Sequence, residues 1–229
     1  MTPAQLAEFE AYTAILRDWS RRLNLTRILS QADIVRLHFL DSLACLTAFP
    51  AVPGLHIIDV GTGAGFPGMP LKIARPDLRL VLLEASRRRV AFLELLAGEL
   101  RLDAEVVHGR AEIIARQPKH RERYDLVVSR ATSPLGRLVD LCLPFIKVGG
   151  LAVLPKGPRA AAEVVDAAAA IEALGGEVES VRRVMVPGLE SRIRSLVILR
   201  KTRQTPDRFP LRSVRAHPHG RGKRRFPEE

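Results

Sequence analysis

Long apolar segments are absent from this sequence. No uninterrupted apolar run approaches the 18 or so residues that a membrane-spanning helix needs. The first residues, MTPAQLAEFEAY, contain neither a basic segment nor an apolar one, so we expect no signal peptide. We therefore expect no membrane interaction and a cytoplasmic location.

Cysteine is also scarce. Cys45 and Cys142 are the only two, and each stands among apolar residues, so we expect buried thiols rather than a disulfide. No group of cysteines and histidines has the spacing of zinc ligands, and we predict no metal site. This usage is typical of a reducing compartment.

Acidic residues are outnumbered, and the imbalance is concentrated at one end. The net charge is +11, and residues 200–229 alone hold ten basic residues against three acidic ones. One interpretation is a polyanionic partner such as nucleic acid. The other is a solvated terminus that aids solubility. Charge alone does not separate the two.

The pattern of apolar residues divides the chain into three parts. Residues 1–54 are predicted as a helical extension, residues 55–200 as a domain and residues 201–229 as a basic tail. In the extension, the spacing predicts one helix over 2–23, begun by Thr2 and Pro3, and another from a Ser30–Asp33 capping box to about residue 49.

After residue 54 strands and helices alternate. The predicted strands are 55–60, 78–85, 104–109, 124–131, one within 149–157, 177–187 and 194–201. The helix after the second of these strands is expected to begin at a Ser86 cap, and the last two strands to form a hairpin at the sheet edge. Alternation of this kind indicates an α/β fold with a doubly wound, mostly parallel sheet.

The stretch IIDVGTGAGFPGMP, residues 57–70, follows the first predicted strand into a helix. Ligands of such sheets bind beyond the carboxyl ends of the strands. Glycine has no Cβ, so Gly61, Gly63 and Gly65 let the backbone approach a ligand closely. The simpler interpretation is a tight turn without a ligand.

Two ligands fit this loop. Gly63, Gly65 and Gly68 match the G-x-G-x-x-G pattern of dinucleotide-binding proteins. With Asp59 included, the loop reads D-x-G-x-G-x-G, the first motif of S-adenosylmethionine-dependent methyltransferases. Pro67 removes an amide donor that a pyrophosphate would use, which favours the second interpretation. Glu84, ending the second strand, could accept hydrogen bonds from a ribose in either case.

More of the chain resembles one family, the RsmG (GidB) family of bacterial 16S rRNA guanine-N7 methyltransferases. The resemblance covers about 180 residues. Its segments are NLTRI (24–28), HFLDSL (38–43), DVGTGAGFPGMPLKIARPD (59–77), LLEASRRRVAFL (82–93), HGRAE (108–112), YDLVVSRA (124–131) and LPKG (154–157). The family's basic residue near the carboxyl end is replaced here by Leu211, and the rest of the tail matches no pattern.

The resemblance implies a Rossmann-like class I methyltransferase with a seven-stranded sheet, S-adenosyl-L-methionine as cofactor, and 16S rRNA or the 30S subunit as partner. The implied target is N7 of guanine 527 in the 530 loop. Motif by motif, cofactor contacts fall on Gly61, Phe66, Ala111, Glu112 and Arg130. The physical argument adds Gly63, Gly65 and Glu84. Nothing requires a dimer, so we expect a monomer.

The sequence also lacks the groups that other methyl transfers need. N7 of guanine carries a lone pair and no proton, so its attack needs alignment rather than a base. Neither a D/N-P-P-Y motif nor a cysteine next to proline or threonine is present. We therefore assign no catalytic acid, base or nucleophile.

Five further residues are candidates for substrate contact: His38, Asp41, Arg87, Arg88 and Lys156. His38 and Asp41 either shape a lid over the site or make hydrogen bonds within their helix. Lys156 either meets a phosphate or base or ends a strand in solvent. Arg87 and Arg88 oppose the dipole of the helix that they begin, as phosphate-binding residues can, or simply reach solvent.

Two other functions fit the same sequence. One is a methyltransferase for a small molecule or protein, and the other is an RNA-binding assembly factor without catalysis.

Overall fold

Seven strands form the centre of the chain, in a computed structural model that describes residues 1–130 and 133–211. They are β1 (His56–Val60), β2 (Arg79–Glu84), β3 (Ala104–His108), β4 (Tyr124–Val128), β5 (Ile146–Lys156), β6 (Gly176–Val184) and β7 (Arg194–Lys201). Their order in the sheet is β3-β2-β1-β4-β5-β7-β6. Strands β1 to β5 pair in parallel, as predicted, and β7 runs antiparallel to both of its neighbours.

Helices cover both faces of this sheet. They are α1 (Pro3–Leu23), α2 (Gln31–Ile34), α3 (Asp41–Leu43), α4 (Gly68–Ala74), α5 (Arg87–Glu99), α6 (Ala111–Ile114), α7 (Leu135–Cys142) and α8 (Ala160–Ala173). One apolar core lies between the sheet and α1–α5, and a second lies between the sheet and α6–α8. Neighbouring strand residues such as Ile57 and Ile58 therefore enter opposite cores, which explains the continuously apolar strands.

The two cysteines belong to these cores. Cys45 is packed in the first and Cys142 in the second, and both are free thiols. Burial raises the pKa of each thiol far above its usual range. In the described part of the chain, no helix is long and apolar enough to cross a membrane.

Two of the three predicted side-chain caps are confirmed. The Thr2 hydroxyl accepts from the Gln5 amide while the Gln5 side chain accepts from the Thr2 amide, a complete capping box. The Ser30 hydroxyl accepts from the Asp33 amide. Ser86 stands at the start of α5, but its side chain makes no capping hydrogen bond. Ser86 is thus the N-cap residue by position, as predicted, but the expected capping by its side chain is absent, and the Arg89 and Val90 amides donate to its carbonyl.

The predicted regular helix over residues 31–49 is also wrong in part. The segment stays helical, but α2 is followed by a π-helical turn, Val35–Leu40, and α3 by a 3-10 turn, Ala44–Ala48. The Asp41 amide donates to the carbonyl of His38 instead of that of Leu37. The Leu37 carbonyl, which lies within the π-helical turn, accepts from Nη1 of Arg130 at 2.9 Å. Wide turns of this kind often mark functional sites.

The last two strands form the predicted hairpin, with β7 inserted between β5 and β6. Pairing of Ser195 with Lys156 places the start of β7 at the carboxyl end of β5. The loop between β6 and β7 therefore reaches the same sheet edge as the glycine loop.

The first residues of the predicted basic tail pack against the domain. Lys201 is fully buried and donates to the carbonyl of Leu143 at 2.8 Å and to the hydroxyl of Thr205 at 2.6 Å. Phe209 is buried as well, and the Leu211 amide donates to Asp140. The part of the tail that holds most of its positive charge, residues 212–229, lies outside the described residues.

Candidate active site

Asp59 holds the glycine loop from beneath. Its Oδ2 accepts from the Thr62 hydroxyl at 2.6 Å and from the Gly68 amide at 2.8 Å, so one oxygen joins the two ends of the loop. Its Oδ1 is buried without a hydrogen-bond partner among the described residues. Burial raises the pKa of Asp59 to about 7, although the hydrogen bonds from Thr62 and Gly68 oppose the shift.

Glu84 holds the same loop from the neighbouring strand. Its two oxygens accept from the amides of Gly63 at 3.0 Å and Ser86 at 2.8 Å. A carboxylate has about four acceptor positions. Each oxygen of Glu84 therefore keeps capacity for a hydroxyl of a ligand.

The three predicted loop glycines have positive φ, but their surroundings differ. A Cβ built on Gly61 or Gly63 would meet no heavy atom within 4 Å. A Cβ on Gly65 would lie 2.6 Å from the Tyr12 hydroxyl oxygen and 2.9 Å from Cγ of Met69. The loop is thus open above Gly61 and Gly63 and packed against the protein at Gly65.

Phe66 joins this loop to the helical extension. Its ring stacks on Tyr12, with centroids 5.2 Å apart, and on His38, with centroids 4.5 Å apart. The Tyr12 hydroxyl also donates to the Ala64 carbonyl at 2.6 Å. Phe66 is itself buried, so the extension and the glycine loop are packed as one unit.

Arg130, two residues beyond β4, connects the same elements through hydrogen bonds. Its Nη1 donates to the Leu37 carbonyl at 2.9 Å and to Oδ2 of Asp41 at 3.1 Å. Its Nη2 contacts Nδ1 of His38 at 2.9 Å, and its guanidinium lies 5.0 Å from the centre of the Phe66 ring. These contacts use three of its five N–H groups.

The contacts of His38 define its protonation. A guanidinium can only donate, so Nδ1 of His38 accepts from Arg130, and Nε2 carries the proton that it shares with the Thr26 hydroxyl at 3.0 Å. Burial, and then the charge of Arg130, lower the pKa of His38 to about 4. His38 is therefore neutral at physiological pH and fixed in one tautomer.

A cleft of about 480 Å³ opens beside Arg130, at the carboxyl ends of β4 and β5. Its volume is within the range of roughly 300–1,000 Å³ that is usual for small-ligand sites. Its charged lining comprises Asp41, Arg130, Lys156, Glu163, Arg192 and Arg194. Asp41 lies between two of these arginines, since its Oδ1 accepts from Nε of Arg194 at 2.8 Å.

Lys156 ends β5 inside the cleft but is not a freely moving cation. Its ammonium donates to the Ser133 carbonyl at 2.7 Å and to Oε2 of Glu163 at 2.8 Å, and its side chain is 6% exposed. Of the residues that the sequence singled out, the cleft thus brings together His38, Asp41, Arg130 and Lys156.

The remaining predicted residues lie along the same sheet edge. Ala111 and Glu112 begin α6 after β3, and Glu112 forms an ion pair with Arg137 at 3.6 Å. Arg87 and Arg88 are exposed on the first turn of α5, which follows β2. They are outside the lining of the cleft.

Sequence reasoning missed Glu163, Arg192 and Arg194. The two arginines come from the hairpin loop and from the start of β7, far along the chain from the glycine motif. Glu163 lies on α8, seven residues after Lys156. A local signal was available only for Glu163, because the helix that follows Lys156 begins within four residues and its first turn therefore lies near the end of β5.

Comparison with known proteins identifies the family. A family model described as GidB, rRNA small subunit methyltransferase G, matches residues 5–194. The chain belongs to this family. A relative from Pelotomaculum thermopropionicum, named Ribosomal RNA small subunit methyltransferase G, is 43% identical over 213 residues, covering 93% of this chain and 89% of the relative. One of the same name from Roseiflexus sp. (strain RS-1) is 45% identical over 207 residues, covering 90% and 87%.

Solved structures support the fold of this GidB family member. A predicted O-methyltransferase from Agrobacterium tumefaciens superposes with a TM-score of 0.53 at 20% identity, over 73% of this chain and 81% of that one. A precorrin-6y C5,15-methyltransferase from Geobacter metallireducens gives 0.50 at 17% identity, over 70% and 87%. The fold is that of class I methyltransferases, with a helical extension at its amino end.

The cofactor of this GidB family member is S-adenosyl-L-methionine, and the residues at the glycine loop fit it. The open space above Gly61 and Gly63 would be filled by any Cβ, as a close approach by a ligand requires. Glu84, with spare acceptor capacity at the end of β2, suits the ribose hydroxyls.

Substitution of Gly63 by valine should weaken cofactor binding by at least about 100-fold, or ~2.7 kcal/mol. The new side chain would enter the open space above the loop, and a non-glycine residue at the φ of +63° is strained. Isothermal titration with S-adenosylmethionine measures the effect. The matched control is Gly98→Ala, on an exposed helix position with nothing nearby. Binding by Gly63→Val within threefold of the native chain would mean that the cofactor lies elsewhere.

Substitution of Asp59 by asparagine should change how stability depends on pH. The folded carboxyl has a pKa of about 7 against 3.8 for the free group, so folding takes up a proton between these values. The native chain then loses about 1.4 kcal/mol of unfolding free energy per pH unit from this group, and the asparagine variant does not. In urea unfolding at pH 5, 6 and 7, the free energy of unfolding of the native chain should fall relative to that of the variant as the pH rises. A difference that stays constant with pH would refute the shift.

Proposed function

We propose that this protein transfers a methyl group from S-adenosyl-L-methionine to N7 of a guanine in 16S rRNA, guanine 527 of the 530 loop. The observation that carries the proposal is the arginine-rich cleft beside the glycine loop. The rRNA methyltransferase names of the relatives support the substrate class. The resemblance of motifs described above supplies the base and the atom.

The chemistry of N7 suits the residues of the cleft. Bound S-adenosylmethionine supplies an electrophilic methyl group, and N7 offers a lone pair without a proton to remove. His38 is neutral with both ring nitrogens in hydrogen bonds, and the thiols are buried in the cores, so neither acts as base or nucleophile. The protein's part is therefore to orient the base and exclude water.

The proposed contacts to the cofactor and those to the RNA lie at different parts of the sheet edge. In this proposal Gly61, Gly63, Gly65 and Glu84, with Phe66, Ala111 and Glu112 around them, hold the cofactor. Arg130 retains two N–H groups, and Arg192 and Arg194 add positive charge on the far side of the cleft. These arginines are suited to phosphate groups that flank the target nucleotide. Arg87, Arg88 and the carboxyl-terminal basic residues extend the positive surface, and the protein acts in the cytoplasm as a monomer.

Incubation of the protein with 30S subunits from a strain that lacks its gene tests the proposal directly. With S-adenosylmethionine labelled on the methyl group, we expect label at one guanine of the 530 loop, mapped by strand cleavage at N7-methylguanine. Naked 16S rRNA and assembly intermediates are tested in parallel. Cofactor binding without transfer to any of these three would contradict the substrate, and label at another atom would contradict the chemistry.

A truncation after Leu211 tests the role of the basic tail. The residues up to Leu211 pack against the domain, so a chain that ends at Leu211 keeps those contacts. The truncation removes six basic residues. We expect unchanged cofactor binding, at least a ~10-fold lower kcat/KM for rRNA, and a smaller loss of RNA affinity with added salt. Unchanged kinetics on rRNA would mean that the tail does not contact it. A loss of cofactor binding as well would point to a structural role.

A further inference from the structure

Glu163 is a carboxylate in a cleft otherwise dominated by arginines, and the reaction described above gives it no role. It stands on the first turn of α8 and faces the space bounded by Arg130, Lys156 and Arg194. Its side chain is 23% exposed, enough to meet a ligand. A carboxylate repels an RNA phosphate, so we expect Glu163 to contact a different chemical group of the ligand.

The orientation of this carboxylate is fixed from behind. Oε2 accepts from the Lys156 ammonium at 2.8 Å and from the Leu135 amide at 3.0 Å. Oε1 makes no hydrogen bond within residues 1–130 and 133–211. Burial acts to raise the pKa of Glu163, but the hydrogen bond and the charge of Lys156 outweigh it and the pKa is lowered. Glu163 is therefore ionised, and Oε1 remains an acceptor for a ligand.

Asp41, the other carboxylate of the cleft, has no oxygen without a hydrogen bond, and both of its bonds come from arginines. Its Oδ1 accepts from Arg194 and its Oδ2 from Arg130, so both oxygens already hold protein groups. Glu163 is thus the acidic side chain of the described cleft lining that has an oxygen to spare.

Guanine is the base that fits such an acceptor. It presents two adjacent donors, N1–H and the N2 amino group, on its Watson–Crick edge, and proteins read unstacked bases along this edge. Adenine presents a single donor, the N6 amino group, beside an acceptor at N1, so it would place a lone pair against the charge of Glu163 where guanine places a second donor. An ionised carboxylate with a free oxygen therefore favours guanine over adenine.

The strand order also places the reacting edge of the base correctly. The glycine loop follows β1, Glu163 lies beyond β5, and β4 stands between these strands. N7 lies on the Hoogsteen edge of guanine, which adjoins the Watson–Crick edge at O6 and is remote from the N2 amino group. A base whose Watson–Crick edge meets Glu163 can therefore present N7 toward β4 and β1, where the cofactor loop begins.

We propose that Glu163 selects the target base by accepting hydrogen bonds from the Watson–Crick edge of guanine, with Lys156 as the residue that positions it. This inference rests on the proposed function and names the specificity determinant of the same site.

The test compares guanine with inosine, which keeps N7 and N1–H but lacks the N2 amino group. 30S subunits are reconstituted from 16S rRNA ligated with a synthetic segment that carries either base at the target. We expect the native protein to methylate the guanine substrate with a kcat/KM about 10- to 100-fold higher, because inosine lacks the hydrogen bond from the N2 amino group to a charged acceptor. Equal rates on the two substrates would overturn the inference without any variant.

Glu163→Gln provides the second arm. Lys156 and the Leu135 amide both donate, so they hold the carbonyl oxygen of the new side chain and turn its amino group into the cleft. A donor then faces the donors of guanine, and the guanine-to-inosine ratio should fall to within about threefold of one. Asp166→Asn, on the exposed side of the same helix, is the matched control and should keep the native ratio.

The outcomes separate the two proposals. A Glu163→Gln protein that is slower on both substrates by the same factor, with the ratio preserved, would assign Glu163 a structural role and overturn the inference. Absence of N7 methylation by the native protein on the guanine substrate would instead overturn the proposed function. Cofactor titration of each variant confirms that the glycine loop is intact.

Discussion

The site depends on one buried oxygen atom, Oδ2 of Asp59. It accepts from Thr62 at the start of the glycine loop and from Gly68 at its end, and so fixes the shape of a loop whose Gly61 and Gly63 have no side chains to pack. Glu84 adds a second attachment at Gly63 from the neighbouring strand.

The helical extension is part of this same construction. Tyr12 and His38 of the extension both stack on Phe66 of the loop. Arg130, just beyond the end of β4, forms hydrogen bonds with the extension. The methyltransferase sheet thus supplies the glycine loop, and the helical extension before it supplies one wall of the cleft. Catalysis by orientation needs rigid walls, and a neutral histidine between an arginine and a threonine hydroxyl provides one without a mobile proton.

The sequence predicts the parts of this arrangement that are encoded locally. Alternating strands and helices, the glycine loop after β1, and Glu84 after β2 follow from short patterns, since parallel strands bring their carboxyl ends to one edge. The π-helical turn has no signal in the local apolar spacing, and its contact with Arg130, more than 90 residues away along the chain, is equally invisible to a local pattern. Arg194 reaches Asp41 across 153 residues through the insertion of β7 between β5 and β6, and no local pattern reports that register. The cofactor and substrate roles of the individual residues stay predictions.

The segment after β7 is held in an unusual way. Arg116 and Arg121 together donate to the main-chain carbonyls of all six residues from Thr205 to Pro210. Recognition of carbonyl groups is indifferent to most side chains, so the path of this segment is encoded by two arginines on another part of the domain. Apart from Thr205, Phe209 and Pro210, which are buried, the residues of the segment can therefore vary as long as those two arginines remain. An alignment of this segment alone would identify it as a variable linker, although its path in the structure is fixed.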